Sequence, residues 1–238
     1  MSRGGAGRRS GLTVALDGPG SSGKSTVGAR AAARLGYRFC DTGLLYRAVT
    51  WLALERATSL DDGRALAGLV RHVTLAPDAH GRLSRVRVDG HDATARVRAA
   101  RVERHVSQVA SRPEVRAALL SRQRELAAGG AIVMAGRDIG TVVLPEADLK
   151  LYLDASAEER ARRRAAQRGV APGSPEAVAI LEDLRRRDRI DSTRAVAPLR
   201  IAPDAVVVRS DGLSFAETVV AVVEAVRERA AKCAGGPT

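Results

Sequence analysis

Short apolar runs alternate along this chain with longer stretches in which apolar residues recur at helical spacing. Five runs of four or five residues have the pattern typical of short β-strands, and the first of them that of a buried strand. They cover residues 12–16, 37–40, 131–135, 149–153 and 205–208. The periodic stretches predict helices at 25–35 and 43–57, and SAEE and SFAE predict capping boxes that open two more. The alternation predicts an α/β fold, a parallel sheet with helices on both faces.

The stretch 60–131 is too long for one crossover between strands. It predicts an inserted subdomain with short strands at 73–75 and 85–89 and helices at 97–109 and 113–127. The ends of the chain look different. Residues 1–11 carry Gly, Arg and Ser without periodicity, which predicts a disordered tail. The last helix is expected to end at about Ala231, followed by a frayed tail at 232–238, so the domain is expected at 12–231.

A glycine-rich loop follows the first predicted strand and precedes the first predicted helix. Residues 18–25 read GPGSSGKS and match G-x-x-x-x-G-K-[ST] at every fixed position. In such a loop successive backbone amides point at phosphate oxygens, and the helix N-terminus adds partial positive charge. Lys24 would bridge the β- and γ-phosphates, and the Ser25 hydroxyl would ligate Mg²⁺. The loop therefore predicts nucleotide binding.

Composition adds a preference for anions. The formal net charge is +12, and 36 of the 39 basic residues are arginine, whose fork holds phosphate oxygens in pairs. Aromatic residues make up only 3%, which leaves few stacking platforms for single-stranded nucleic acid. A general enrichment in Arg, Ala and Gly, as in a GC-rich coding sequence, stays open as the explanation of many surface arginines.

Other classes of protein are excluded or disfavoured. Two cysteines cannot form a disulfide framework or a four-thiolate zinc site, and the four histidines lack metal-ligand spacing. No apolar run approaches the ~20 residues of a membrane span, and no secretory signal is visible, so we expect a cytoplasmic protein. The chain has no Asn and hence no Asn-Lys-x-Asp guanine motif, and neither 131–136 nor 149–154 ends in Asp-Glu as in motor ATPases. A small kinase remains, with arginines to bind its acceptor.

Four segments together resemble the bacterial cytidylate kinase family. They are the phosphate loop, DTGLLYRA at 41–48, AGRDIGTVV at 135–143 and RDRIDSTRAVAPL at 187–199, and the resemblance spans roughly 12–230. It implies transfer of a phosphoryl group from ATP, with Mg²⁺, to CMP or dCMP. It also implies a P-loop NTPase-type five-stranded parallel sheet, with 60–131 as the acceptor-binding insertion and 160–195 as a mobile, arginine-rich lid.

The resemblance further implies residue roles. The ATP-binding residues would be Gly18, Pro19, Gly20, Ser21, Ser22, Gly23, Lys24, Ser25 and Thr26, with Ser25 on the metal. The catalytic residues would be Lys24, Arg137, Arg187 and Arg194. The acceptor-binding residues would be Thr42, Arg47, Ser107, Arg116, Arg137, Asp138, Arg187, Asp191 and Arg194. Of these, Thr42 and Arg47 match the turn near the acceptor phosphate, and Asp191 matches the residue that binds ribose.

The chemistry of cytosine agrees with this assignment. Its N4 is a donor that suits the carboxylate of Asp138, whereas N3 and O2 are acceptors that suit Arg116 and Ser107. Uracil would present O4 to the same carboxylate and leave buried polar groups unpaired. UMP/CMP, adenylate and shikimate kinases fit the AGRDIGTVV segment and the insertion less well. The alternative from another class is a nucleic-acid-dependent ATPase, which the charge motivates. We otherwise expect a monomer with no stable nucleic-acid or membrane partner.

Overall fold

The computed structural model of the protein describes residues 11–234. The predicted tail at 1–11, apart from Gly11, and residues 235–238 lie outside the described part of the chain. The strands are β1 (Thr13–Asp17), β2 (Arg38–Asp41), β3 (Val73–Pro77), β4 (Arg82–Val88), β5 (His91–Asp92), β6 (Ile132–Ala135), β7 (Leu149–Asp154) and β8 (Val206–Arg209). The α-helices are α1 (Lys24–Leu35), α2 (Gly43–Glu55), α3 (Gly63–Leu69), α4 (Ala100–Ala110), α5 (Pro113–Ala127), α6 (Ala157–Gln167), α7 (Pro175–Thr193) and α8 (Phe215–Ala234).

One sheet runs through the molecule in the order β3-β4-β2-β6-β1-β7-β8, with β5 paired to β4. The five predicted strands form its parallel part, in which β1 lies between β6 and β7. The predicted fold class is therefore confirmed. The short strands of the insertion do not form a separate sheet. Through two residue pairs β4 extends the parallel sheet beyond β2, and β3 and β5 flank it in antiparallel fashion.

Alternation of side chains along β1 explains why the sheet carries helices on both faces. Val14 and Leu16 point to the apolar cluster that includes Val27 of α1 and Val222 of α8. Ala15 belongs to the cluster on the other face, with Met134 and Ala127 of α5. Because both faces are covered, the central strands β1 and β6 carry apolar side chains on both faces, which is the pattern the sequence showed.

The stretch 60–131 builds a second apolar core. Residues of α3, β3, β4, α4 and α5 pack there against α2, and the fully buried members include Leu45, Leu66, Val86, Val102 and Leu119. Helix α2, which follows β2 directly, thus packs its buried apolar side chains against the insertion.

Some local predictions were incomplete or wrong. Ser214 and Glu217 form the full reciprocal capping box. At the other box, Ser156 accepts from the Glu159 amide, but its own amide donates to Asp211, so only half of that box exists. Helix α8 continues to Ala234, so residues 232–234 are helical rather than frayed. Helix α3 and strand β5 were not predicted. Within residues 11–234 no helix is long and apolar enough to span a bilayer.

Candidate active site

A cavity of about 820 Å³ opens at the carboxyl ends of the parallel strands. Its lining contains residues 20–26 of the phosphate loop and every predicted acceptor-binding residue: Thr42, Arg47, Ser107, Arg116, Arg137, Asp138, Arg187, Asp191 and Arg194. A second cavity of about 1000 Å³ lies at the opposite, amino ends of the strands. Since ligands of open α/β sheets bind outside the carboxyl ends, the 820 Å³ cavity is the candidate site.

Backbone geometry shapes the phosphate loop. Gly18 has φ +150°, and a Cβ there would lie 2.2 Å from the carbonyl oxygen of Leu153 on β7. Gly23 caps α1 in the left-handed region, with φ +96°. Helix α1 begins at Lys24, so its free amides face the loop. The β1–loop–α1 unit therefore has the geometry that binds anions through backbone amides.

Lys24 lies within this loop. Its Nζ donates to the carbonyl oxygen of Pro19 at 2.6 Å and to Ser22 Oγ at 3.2 Å. Burial, together with the nearby Arg137, lowers the pKa of Lys24 well below its usual value. A polyphosphate chain in the loop would oppose both effects, because its negative charge favours the ammonium form.

Ser25 and Asp41 form an oxygen-rich corner between the start of α1 and the end of β2. Ser25 Oγ donates to Asp41 Oδ2 at 2.6 Å, and Asp41 Oδ1 accepts from the Gly43 amide at 3.0 Å. A hydroxyl beside a carboxylate is a donor set of the kind that Mg²⁺ prefers. The residues present thus fit the metal predicted at Ser25, and they add Asp41, which the sequence reasoning missed. Within residues 11–234 no group of three or more His, Cys, Asp or Glu is arranged to hold a metal by itself.

The base-reading candidates meet at the floor of the cavity. Arg116 donates through one nitrogen to Asp138 Oδ2 and through the other to the carbonyl oxygen of Ala110 at 3.1 Å. Arg194 contacts Asp138 Oδ1 at 3.5 Å, and the guanidinium of Arg116 lies over the ring of Tyr46 at 5.3 Å. Asp138, Arg116 and Arg194 are all less than 10% exposed. The Nε atom of Arg116 is buried without a hydrogen-bond partner, which leaves one donor unused.

Asp17, at the end of β1, positions this group. Its two carboxylate oxygens accept from the amides of Ile139 at 2.9 Å and Gly140 at 2.7 Å. Those amides begin a π-helical turn at Ile139–Val143, directly after Arg137 and Asp138. Burial raises the pKa of Asp17 to about 6, although the two hydrogen bonds act to lower it. The sequence reasoning missed this role because Asp17 was taken only as the end of a strand.

Two arginines connect the predicted lid to the rest of the site. Arg137 Nε donates to Asp191 Oδ2 at 2.9 Å. Arg160, buried at the start of α6, donates to the carbonyl oxygen of Gly20 at 3.0 Å and to Asp188 at 2.7 Å. Arg160 therefore supports the phosphate loop from behind instead of facing solvent. No motif marks it among its arginine neighbours in the sequence.

Glu103 on α4 is the other site residue that sequence reasoning did not find. Its carboxylate contacts four arginines that lie on α2, α6 and α7 or just beyond α6: Arg47, Arg164, Arg168 and Arg187. Burial acts to raise the pKa of Glu103, but Arg164, Arg187 and Arg47 together lower it. Glu103 is thus an ionised carboxylate among phosphate-binding candidates.

Comparisons with known proteins agree on one family. The cytidylate kinase family model matches residues 14–228 of this chain. The cytidylate kinase of Geobacillus kaustophilus is 48% identical over 221 residues, which cover 92% of this chain and 97% of that protein. This chain belongs to the cytidylate kinase family. The cytidylate kinase of Mycolicibacterium paratuberculosis is 44% identical over 219 residues, covering 92% and 96%.

Solved structures agree on the fold. A gluconokinase from Sinorhizobium meliloti superimposes with a TM-score of 0.51 at 15% identity, covering 95% of this chain and 98% of that one. The likeness shows a shared kinase fold only. Membership of the cytidylate kinase family confirms the predicted resemblance and decides against a nucleic-acid-dependent ATPase. The roles of individual residues stay predictions.

Proposed function

We infer that this chain transfers the γ-phosphoryl group of ATP to CMP or dCMP, giving ADP and CDP or dCDP. Family membership makes it an ATP-dependent cytidylate kinase. One observation supports the same reaction from the residues themselves. The phosphate loop and a buried set of Arg116, Asp138 and Arg194 line a single cavity. A donor site for triphosphate and a polar pocket for a base therefore adjoin each other.

At the donor end, we propose that the amides of residues 18–26 hold the phosphates of ATP. Lys24 exchanges its contacts with Pro19 and Ser22 for the β- and γ-phosphate oxygens. Ser25, beside Asp41, would hold Mg²⁺. The ion, when bound, neutralises charge on the phosphates and orients them. Arg160 keeps the carbonyl of Gly20 turned away from the anion.

At the acceptor end, we propose that three arginines from two parts of the fold converge on the phosphates. Arg137 follows β6, Arg187 lies on α7, and Arg194 caps that helix. The acceptor phosphate is already ionised at neutral pH, so transfer needs charge neutralisation and alignment more than a strong general base. These guanidiniums would stabilise the migrating phosphoryl group, while Asp191 fixes Arg137 and presents its carboxylate to the ribose.

Base selection is proposed for Asp138, Arg116 and Ser107. Asp138 accepts from two arginines, and a carboxylate oxygen can accept a further hydrogen bond from cytosine N4. The guanidinium of Arg116, which lines this cavity, is proposed as the donor to O2 or N3. Ser107 on α4 lines the same cavity and offers another. Uracil would place O4 against a buried carboxylate, an arrangement that costs affinity.

An ADP-release assay over CMP, dCMP, UMP, AMP and shikimate tests the proposal. CMP and dCMP should be phosphorylated at rates well above those for the other acceptors, and added DNA or RNA should not stimulate ATP consumption. Equal turnover of UMP would remove the assigned base selection, and no turnover of CMP would refute the function. The monomeric state and the cytoplasmic location stay predictions, which size-exclusion chromatography and cell fractionation would examine.

A further inference from the structure

Glu103 is the carboxylate around which four guanidiniums gather beside the acceptor-phosphate candidates. Its Oε1 accepts from Arg187 at 2.9 Å and lies 3.8 Å from Arg47. Its Oε2 contacts Arg164 and lies 3.5 Å from Arg168. These contacts join α4 of the insertion to α2 and to the arm formed by α6 and α7. One negative charge thus holds four positive charges from three other parts of the fold.

The arginines are left short of acceptors by this arrangement. The side chain of Arg187 is only 10% exposed, and its Nε is buried with no hydrogen-bond partner. Burial and repulsion from Arg187 and Arg164 lower the pKa of Arg47, even with Glu103 nearby. Buried guanidiniums that exceed their counter-ions favour a further anion. The group is therefore built for more negative charge than Glu103 supplies.

Glu103 also occupies the cavity that the anion must enter. It lines the 820 Å³ cavity together with Arg47, Arg164 and Arg187. A carboxylate and a phosphate offer the same charge-assisted acceptors to a guanidinium, so the two compete for the same donors. Without a ligand the carboxylate keeps the arginines from repelling one another. With a ligand present, it repels the incoming phosphate.

We propose that Glu103 is a positioning residue that takes the place of a substrate phosphate in the nucleotide-free enzyme and is displaced when CMP binds. The inference rests on the proposed function, because it takes this cavity to be the nucleotide site. It assigns Glu103 a defined consequence: affinity for phosphorylated acceptors is lower than the arginines alone would provide. Affinity for the uncharged nucleoside is unaffected.

Binding measurements on the full-length protein test this proposal. Calorimetry would give Kd for CMP, dCMP and cytidine in the wild type and in Glu103→Gln and Glu103→Ala. Removing a unit charge a few ångströms from the acceptor phosphate should tighten CMP and dCMP by about tenfold, and the effect should shrink in high salt. Cytidine should bind with unchanged Kd. The KM for CMP should fall in the same proportion, with kcat nearly constant.

Two control variants separate charge from shape. Glu103→Asp keeps the charge and should bind CMP like the wild type. Glu158→Gln removes the same charge from the exposed pair with Arg185 and should change nothing. Circular dichroism establishes that each variant is folded. Loss of folding in both Glu103→Gln and Glu103→Ala would overturn the proposal, since a residue that is displaced during binding cannot be essential to the fold.

Two binding results would contradict the proposed role of Glu103. If CMP binds Glu103→Gln with unchanged or weaker affinity, or if cytidine tightens as much as CMP, Glu103 is a structural support and the inference is wrong. Turnover of CMP by the wild type, measured in parallel, keeps this outcome separate from failure of the proposed function. A wild type that phosphorylates CMP while the variants bind it no more tightly refutes only the role of Glu103.

Discussion

Asp138 gives the sharpest test of base selection, because the cavity isolates its carboxylate from water. It is 4% exposed and is held by Arg116 and Arg194, themselves buried. Replacing it with Ala removes the acceptor for cytosine N4 and leaves both guanidiniums without their counter-ion. Replacing it with Asn keeps the size and one acceptor oxygen, and adds an amide that can donate to uracil O4.

The expected magnitudes separate binding from stability. Loss of a charged hydrogen bond costs about 1.5–3 kcal/mol, which is roughly one to two decades in kcat/KM for CMP. UMP does not make that bond, so the kcat/KM for UMP should fall much less in Asp138→Ala. In Asp138→Asn the kcat/KM for UMP should partly recover. Both variants also break a buried ion pair, so unfolding free energy should fall by about 3–5 kcal/mol in Asp138→Ala.

The measurement is kcat/KM for CMP and UMP in the wild type and the two Asp138 variants, below the temperature at which any of them unfolds. Asp191→Asn is the matched control. Asp191 is 5% exposed, pairs with Arg137 and Arg194 in the same group, and is assigned to the ribose. Asp191→Asn should lower the kcat/KM values for CMP and UMP by a similar factor and leave the ratio of the two unchanged.

If the kcat/KM values for CMP and UMP fall by the same factor in Asp138→Ala, the assignment of Asp138 to the base is refuted. Asp138 would then only hold Arg116 and Arg194 in place, and discrimination would have to come from Ser107 and the Arg116 guanidinium. A ratio that changes in Asp191→Asn as much as in the Asp138 variants would also refute it. In that case loss of negative charge anywhere in the group would alter selectivity.

Three further predictions concern other parts of the chain. Lys24→Ala should lower kcat by about 10²-fold or more with the free energy of unfolding nearly unchanged, since the Lys24 Nζ donates its hydrogen bonds to Pro19 and Ser22 of its own loop; near-normal turnover would remove the loop from the mechanism. Deleting residues 2–10 should leave CMP phosphorylation within a few-fold of the full chain, because no motif lies there; a collapse of the rate would show that this segment acts at the site. Burial raises the pKa of Cys40 to about 12, so a thiol reagent at pH 8 should modify Cys233 alone until the protein is unfolded; two reactive thiols in the native state would contradict this.

The parallel sheet could be predicted because each central strand is apolar on both faces. The phosphate loop could also be predicted, because its function depends on consecutive residues that form a recognisable motif. Strand β5, with two paired residues, and helix α3, with seven, are too short for a periodic signal. Helix α7 had recognisable signals, Ser174 as the cap and Pro175 in its first turn, but the stretch had been taken only as part of a lid.

The residues of the candidate site could be predicted only where they belong to a contiguous sequence motif. Asp17, Arg160 and Glu103 act through residues of other elements, at separations of 122 positions to Ile139, 140 to Gly20 and 61 to Arg164 respectively. One sequence contains no record of such pairs, because a carboxylate that accepts from two amides looks like any carboxylate at the end of a strand. The half-formed capping box at Ser156 could not be predicted for the same reason. The Ser156 amide donates to Asp211, 55 positions away, instead of to Glu159.

The arginine content itself divides into two populations that composition could not separate. On the surface, some arginines pair with a carboxylate three positions away on the same helix, as Arg162 does with Glu159 and Arg186 with Asp183. Such pairs contribute little and would arise in any arginine-rich chain. In the cavity, Arg116, Arg187 and Arg194 are buried and reach carboxylates on other elements. Burying a guanidinium costs free energy that these shared carboxylates offset only in part, since Arg116 and Arg187 each retain an unpaired Nε. We expect these local arginines, more than the net charge of +12 of the whole chain, to attract a phosphorylated nucleotide to the site.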